Sequence, residues 1–290
     1  YMSYYTIAHH LKHFNPEELT PETFDFLFLG KDSPNLKNRD ALEMMRKEFE
    51  YWYPYDYRFS AKDLISNHLT FQLFHHAAIF PKKSMPRGMV VFGMGLLEGA
   101  KMSSSKGNVF LLEDALREFG ADTVRMFLVG SAEPWQDFDW RNDLVYSTRK
   151  QIERFWNTIE ECSGSGSLSS DVNLWLISRL QLHIQKATEA LERFQTRQAL
   201  QEAFYSIESD MKWYRRRLPE GVVGGSALRE LQSVWIRLLA PVIPFTCEGL
   251  WKETGGEGLV SYAPWPVADK SKTDPNLELS EDLLFRTMED

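Results

Sequence analysis

Apolar positions recur three and four apart through the second half of the chain. One series is Ile177, Leu180, Ile184, Ala187, Leu191 and Phe194, and another is Ala199, Ala203, Ile207, Met211 and Tyr214. A third, Ala227, Leu231, Val234 and Leu238, stops before Pro241. Each stripe keeps one helix face apolar, and three matching stripes predict a helical bundle. The first half is less regular. Thr20 before Pro21 and Glu22 marks a helix start, residues 37–51 read as a charged helix, and a helix from about Asp63 should stop at Pro81. Between the last two lies an aromatic extended piece around Pro54. The stretch "GMVVFGMGLLEG" at 88–99 has short β-prone pieces with glycine at each bend, predicting a strand and turn. One helix then ends at Gly120 and another begins near Ala121, while the Gly/Ser-rich link 163–170 separates the first long helix from the bundle stripes.

At 290 residues with 43% hydrophobic content, the chain can bury more than one core. No apolar run approaches a membrane span and no basic-then-apolar leader opens the chain, so a soluble, cytoplasmic protein without membrane contact is expected. The net charge of -8 is concentrated at the end: residues 253–290 hold three basic against nine acidic side chains. The rest is near neutral and can carry local basic faces. Cys162 and Cys247 show neither disulfide nor zinc-ligand spacing. His9-His10 and His75-His76 are adjacent pairs, and neighbours on a helix point to different faces, so no metal site is expected from them.

The segment "GLLEGAKMSSSKGN", Gly95 to Asn108, sets Lys101 and Lys106 around Met102 and three serines. Two ammonium groups beside hydroxyls on a permissive backbone suit a polyanion whose charge changes during reaction, such as ATP losing pyrophosphate. By composition alone a solvated turn is the commoner origin of such a stretch. It is not a P-loop, because the required Gly-Lys-Ser/Thr spacing is absent.

The order of the residues is more informative. Lys101-Met102-Ser103-Ser104-Ser105 followed by Lys106-Gly107-Asn108 resembles the Lys-Met-Ser-Lys-Ser signature of class I aminoacyl-tRNA synthetases, with Ser104 in place of its second lysine. "LEDALREFGADTVRMFLVGSA" is similar to the segment after that signature in the enzymes for leucine, isoleucine, valine and methionine. Leu239-Ala240-Pro241, Pro244-Phe245 and Glu248-Gly249-Leu250-Trp251 resemble the L-x-P-x-x-P-x-x-E-x-L-W pattern of their anticodon-binding bundle. "YMSYYTIAHHL" and "DLISNHLTFQLFHHAAIFP" look like the archaeal and eukaryotic-type leucyl subgroup, whose loop reads K-M-S-S-S.

The resemblance implies an α/β plus all-α chain: the second half of a Rossmann-type nucleotide-binding domain over 1–100, a signature loop and stem-contact region over 101–145, an anticodon-binding bundle over 146–252, and an acidic segment over 253–290 leading to an extension. It implies that leucine and ATP, with Mg2+, give leucyl-adenylate, and that leucine passes to tRNA(Leu). Lys101, Ser103, Ser105 and Lys106 would act on the phosphates. Asp63, Asn67 and His68, with Met89, Val90 and Val91, would border the adenylate, and Tyr4 and Tyr5 would face the amino-acid pocket; helix capping and core packing remain open for these positions. Arg215, Arg216 and Arg217, then Arg141, Arg149 and Lys150, would meet tRNA phosphate, with a solvated helix end as the alternative for the arginine run. The family's other signature, H-x-G-H, does not occur here, so the chain alone is expected to be inactive and to need an N-terminal half carrying that motif and the editing domain as its partner. An isoleucyl or valyl enzyme and a non-catalytic tRNA-binding module are the competing functions.

Overall fold

The computed structural model describes residues 2–102, 107–162, 170–218 and 225–289. The chain forms two compact units, Tyr1–Phe92 and Gly93–Asp290. Expectations for Ser103–Lys106 and for the link at 163–169 lie outside the described residues.

The first unit opens with two single-turn helices, α1 (Met2–Tyr5) and α2 (Ala8–Leu11), followed by α3 (Pro21–Leu29) and α4 (Arg39–Trp52). Helix α3 starts as its sequence dictates. The Thr20 hydroxyl accepts from the Thr23 amide, Pro21 takes the first turn where its missing N–H costs nothing, and Gly30 ends the helix at φ 72°. Helix α4 buries Leu42, Met45 and Phe49, spaced three and four apart, against Ile7, Leu11, Phe26 and Leu27. Strand β1 (Tyr57–Ala61) runs through a 3-10 turn (Lys62–Leu64) and a π turn (Ile65–Leu69) into α5 (Thr70–Ile79), which stops one residue before the Phe80-Pro81 pair. The chain returns as β2 (Gly88–Phe92), parallel to β1 with Arg58 opposite Met89 and Ser60 opposite Val91. Two parallel strands joined through a helix form a βαβ unit.

The second unit begins with a small sheet of β3 (Gly95–Leu97), β4 (Ala100–Lys101) and β5 (Phe138–Trp140), ordered β4-β3-β5. Strand β4 is antiparallel to β3 and β5 is parallel to it. Helices α6 (Leu112–Phe119) and α7 (Ala121–Ser131) are broken apart at Gly120, whose φ of 83° suits a residue without Cβ. Ala115, Phe119, Val124, Phe127, Trp140 and Val145 make a local core beneath them.

The bundle that follows holds α8 (Asn142–Glu161), α9 (Asp171–Glu192), α10 (Thr196–Leu200), α11 (Ile207–Arg217), α12 (Gly225–Leu239), α13 (Pro244–Glu253) and α14 (Pro275–Glu289). All three predicted stripes lie on its helices except Phe194, which falls beyond the end of α9 at φ 58°. The second stripe differs in one respect. Gln201–Ser206 is a π turn joining α10 to α11, so that rod is not a uniform α-helix. The acidic end segment is also built into the bundle: α14 packs on α9 and its Glu281 is buried. Among the described residues no helix is long and apolar enough to cross a membrane.

Candidate functional site

In the second unit, Lys101 ends strand β4 with an exposed side chain, opposite Leu96 across the hairpin. Three contacts fix the hairpin from which the signature loop springs. Asp139 accepts from the Gly99 amide at 2.8 Å, and Arg141 pairs with the same carboxylate at 2.8 Å. The Asn108 side-chain amide donates to the Lys101 carbonyl at 3.4 Å, closing the loop at its base. The Gly99 amide and then the Arg141 guanidinium hold the Asp139 carboxyl below the usual range, so it stays charged in that role. On either side, Met102 and Phe110 pack against the local core. Apolar anchors at Met102 and Phe110, with the exposed ammonium of Lys101 beside the first, suit a segment that meets an anion from solution.

In the first unit, Asp63 lies in the 3-10 turn just past the carboxyl end of β1, and Asn67 and His68 lie in the π turn, all three exposed. The Asn67 side chain accepts from the His68 amide, and His68 Nε2 lies 3.4 Å from the Arg58 guanidinium. Met89, Val90 and Val91 occupy β2, half-buried, with Met89 in register with Arg58. Tyr4 and Tyr5 are 43% and 63% exposed. Arg58 was not among the residues singled out from sequence, because a lone arginine in a strand carries no motif.

The arginine run is only partly open to a ligand. Arg217 pairs with Glu281 at 2.9 Å, and the Trp213 indole donates to the same carboxylate, so this guanidinium balances a buried charge. Arg215 reaches Glu161 at 2.6 Å, while Arg216 is exposed with its guanidinium 5.8 Å from the Trp213 ring centroid. Arg149 pairs with Glu153 one turn on, and Lys150 beside it is exposed.

The motif strings that resemble the family's bundle have visible duties. Asp122 on α7 accepts from the Thr246 amide and hydroxyl at 2.6 Å each and from the Phe245 amide at 3.4 Å, capping α13 from another helix. Arg125, one turn later, donates to the Pro241 and Val242 carbonyls. Glu248 accepts from the Val260 amide, and Gly249 leaves room for the Trp156 ring. The two motif segments are thus bonded to each other, which their separation in sequence conceals.

One expectation is corrected. His9 and His10 do not diverge at their tips: their rings lie 4.0 Å apart and both Nε2 atoms reach Glu48 on α4, which draws the two side chains to one point. The thiols of Cys162 and Cys247 are buried, and burial pushes Cys162 up to about 12.

Comparison with known proteins agrees with these features. The family model for class I tRNA synthetases (M) matches residues 36–159, and the one for the anticodon-binding domain of tRNA ligase matches 173–290. The chain is 48% identical to a leucine–tRNA ligase of Methanothermobacter thermautotrophicus, 47% to one of Methanopyrus kandleri and 44% to one of Pyrococcus furiosus. Each match takes in 100% of this chain and 32%, 31% and 32% of the relative, so the chain spans about a third of their length. The fold is similar to a chain in the crystal structure of the ternary complex of Agrobacterium radiobacter K84 agnB2 LeuRS with tRNA and LeuAMS. That likeness has a TM-score of 0.65 at 23% identity over 76% of this chain and 29% of the other. With both family models matched in order and the whole of this chain aligned to its relatives, the chain belongs to the class I tRNA synthetase family.

Proposed function

We propose that the chain is part of a leucine–tRNA ligase, acting in the ATP-dependent activation of leucine to leucyl-adenylate and in its transfer to tRNA(Leu). The observation that carries this reading is identity of 44 to 48% along the whole chain to proteins all bearing that activity's name. Residues 1–100 act as the second half of a Rossmann-type domain. The β1–β2 pair with its helical crossover supports this, since such sheets bind ligands beyond the carboxyl ends of their strands, where Asp63 lies. Asp63 takes a ribose hydroxyl or the amino group, His68 and Asn67 line the pocket, and adenine lies along Met89, Val90 and Val91. Tyr4 and Tyr5 face the amino acid.

Lys101 holds the phosphates, with Ser103, Ser105 and Lys106 completing the loop and Mg2+ accompanying the ATP. A loop that closes over the loaded site stabilises the departing pyrophosphate more than the ground state. The region 101–145 and the bundle over 146–252 lie along the tRNA, with the acidic segment 253–290 packed onto the bundle. Arg216, Arg215, Lys150 and Arg149 supply phosphate contacts; Arg141 steadies the hairpin and Arg217 steadies Glu281.

Leucine-dependent exchange of pyrophosphate into ATP tests the reading. The chain joined to the remaining parts of a leucine–tRNA ligase should catalyse exchange, and Lys101→Ala should lower kcat/KM by about a hundredfold, the scale of one lost charge-stabilising group. Exchange that follows isoleucine or valine instead of leucine, or robust exchange by the chain alone, would refute it.

A further inference from the structure

Three potential metal ligands meet at one point in the first unit. His9 Nε2 and His10 Nε2 lie 3.4 and 2.5 Å from the same Glu48 oxygen, and all three atoms lie within 4.8 Å of one another. We propose that these side chains bind one borderline divalent cation, Zn2+ fitting best, in a site with an open coordination position. The proposal is independent of the synthetase reading.

The scaffold is set by packing. Ile7 and Leu11, flanking the two histidines, are buried in the same core as Met45 and Phe49, which flank Glu48. Both ligand-bearing segments are thereby tied to one core, and the side chains between those anchors converge. Although His9 and His10 leave the backbone of α2 in different directions, their long side chains bend to the same carboxylate and the two rings lie at an interplanar angle of 39°.

The donor set selects the ion. Two imidazole nitrogens and one carboxylate oxygen suit Zn2+, Co2+ or Ni2+, whereas Ca2+ and Mg2+ prefer oxygen ligands throughout. Zinc bonds of about 2.0–2.2 Å set tetrahedral ligand atoms roughly 3.3 Å apart, so the trio needs adjustments on the order of an ångström. The carboxylate offsets one of the ion's two charges. Three protein ligands leave the fourth position to water or a small anion, as in open zinc sites. His9, with 57% of its side chain exposed, leaves a path for the ion while His10 and Glu48 are more enclosed at 21% and 31%. Ligand nitrogens and oxygens bind the ion in their deprotonated form, so binding releases any proton they carry.

Calorimetric titration of zinc chloride into the full chain decides the matter. The expected result is one saturable site whose heat varies with the buffer's ionisation enthalpy, and Co2+ in its place should show the strong visible absorption of a tetrahedral site. Glu48→Gln and the double variant His9→Gln/His10→Gln should each raise Kd at least tenfold with unchanged thermal melts of the ion-free chain. His75→Gln, altering an exposed histidine elsewhere, should leave Kd unchanged. No saturable binding, or binding that the Glu48 and His9/His10 variants leave intact, would overturn the proposal and leave an imidazole–carboxylate hydrogen-bond cluster.

Discussion

Replacing His183 by Gln is expected to remove a pH-dependent clamp from the middle of the bundle. The imidazole is 2% exposed and lies between two carboxylates, Nδ1 at 3.0 Å from Glu202 and Nε2 at 2.8 Å from Asp210. Carboxylates only accept, so both ring nitrogens must carry protons and the ring is an imidazolium. Burial opposes that charge, but the hydrogen bonds of Asp210 and Glu202 outweigh it and the pKa is raised. Facing groups complete the balance: Arg179 pairs with Asp210 at 2.9 Å and stands 3.8 Å from Glu278, and Gln198 donates to Glu202.

The native state therefore keeps a proton that the unfolded chain gives up near pH 6.5. The stabilisation is fully present below that value and is lost as pH rises through the raised folded pKa, at up to about 1.4 kcal/mol per pH unit. Glutamine satisfies at most one carboxylate. Two charge-assisted bonds contribute roughly 1.5–3 kcal/mol each, and Arg179 still compensates Asp210, so a net loss of about 3 kcal/mol is expected at pH 6. For a unit of this size that corresponds to a Tm lower by roughly 6–12 °C. Urea unfolding of wild type and His183→Gln from pH 6 to 9 measures both quantities. Wild type should weaken with rising pH and the variant should not; equal stabilities with parallel pH profiles would refute the imidazolium assignment.

Three other outcomes follow from the packing. Asp122→Ala removes the acceptor for two amides and a hydroxyl at the start of α13, and should cost about 1–2 kcal/mol by denaturant melts, with Asp122→Asn in between. Gly93→Ala would bring a Cβ to 1.9 Å from the Gln136 carbonyl oxygen, so backbone must move, and thermal melting should show a loss of at least about 2 kcal/mol. Arg216→Ala should weaken tRNA binding and reduce its salt slope by about one, whereas Arg217→Ala should act first on stability by stranding buried Glu281. Salt titrations alongside melts separate the two.

Much of this molecule is legible from residue order. Stripes of apolar residues locate the bundle helices because a buried face must repeat with the helical turn, and Thr20-Pro21 or Gly120 act through local backbone rules. The signature loop is recognisable for a similar reason: its order of residues is local. What escaped is non-local. Asp122 and Phe245 meet only in three dimensions, as do Glu281 and Arg217, so the packing of the acidic segment 253–290 on the bundle stays hidden until its partners are seen. The convergence of His9 and His10 on Glu48 is hidden too, because the carboxylate that gathers them lies on another helix, 38 residues from His10. The π turn at 201–206 is hidden as well, because Ala199, Ala203 and Ile207 keep apparent helical spacing across it.

That wide turn constrains how the rod joining α10 to α11 can change over generations. A π turn holds one residue more than the α-helical turn it replaces, so losing a single residue there would leave a good helix. Because the wide turn absorbs the extra residue by underwinding, every side chain beyond it would then keep nearly the same direction. Asp210 would stay beside the imidazole of His183 and Trp213 and Tyr214 in their burial sites, whereas a residue lost from the α-helix beyond Ser206 would swing those that follow by about 100°. Substitution in that stretch is held by buried Glu202, Ala203 and Phe204, while its length can fall by one residue without disturbing the partners downstream.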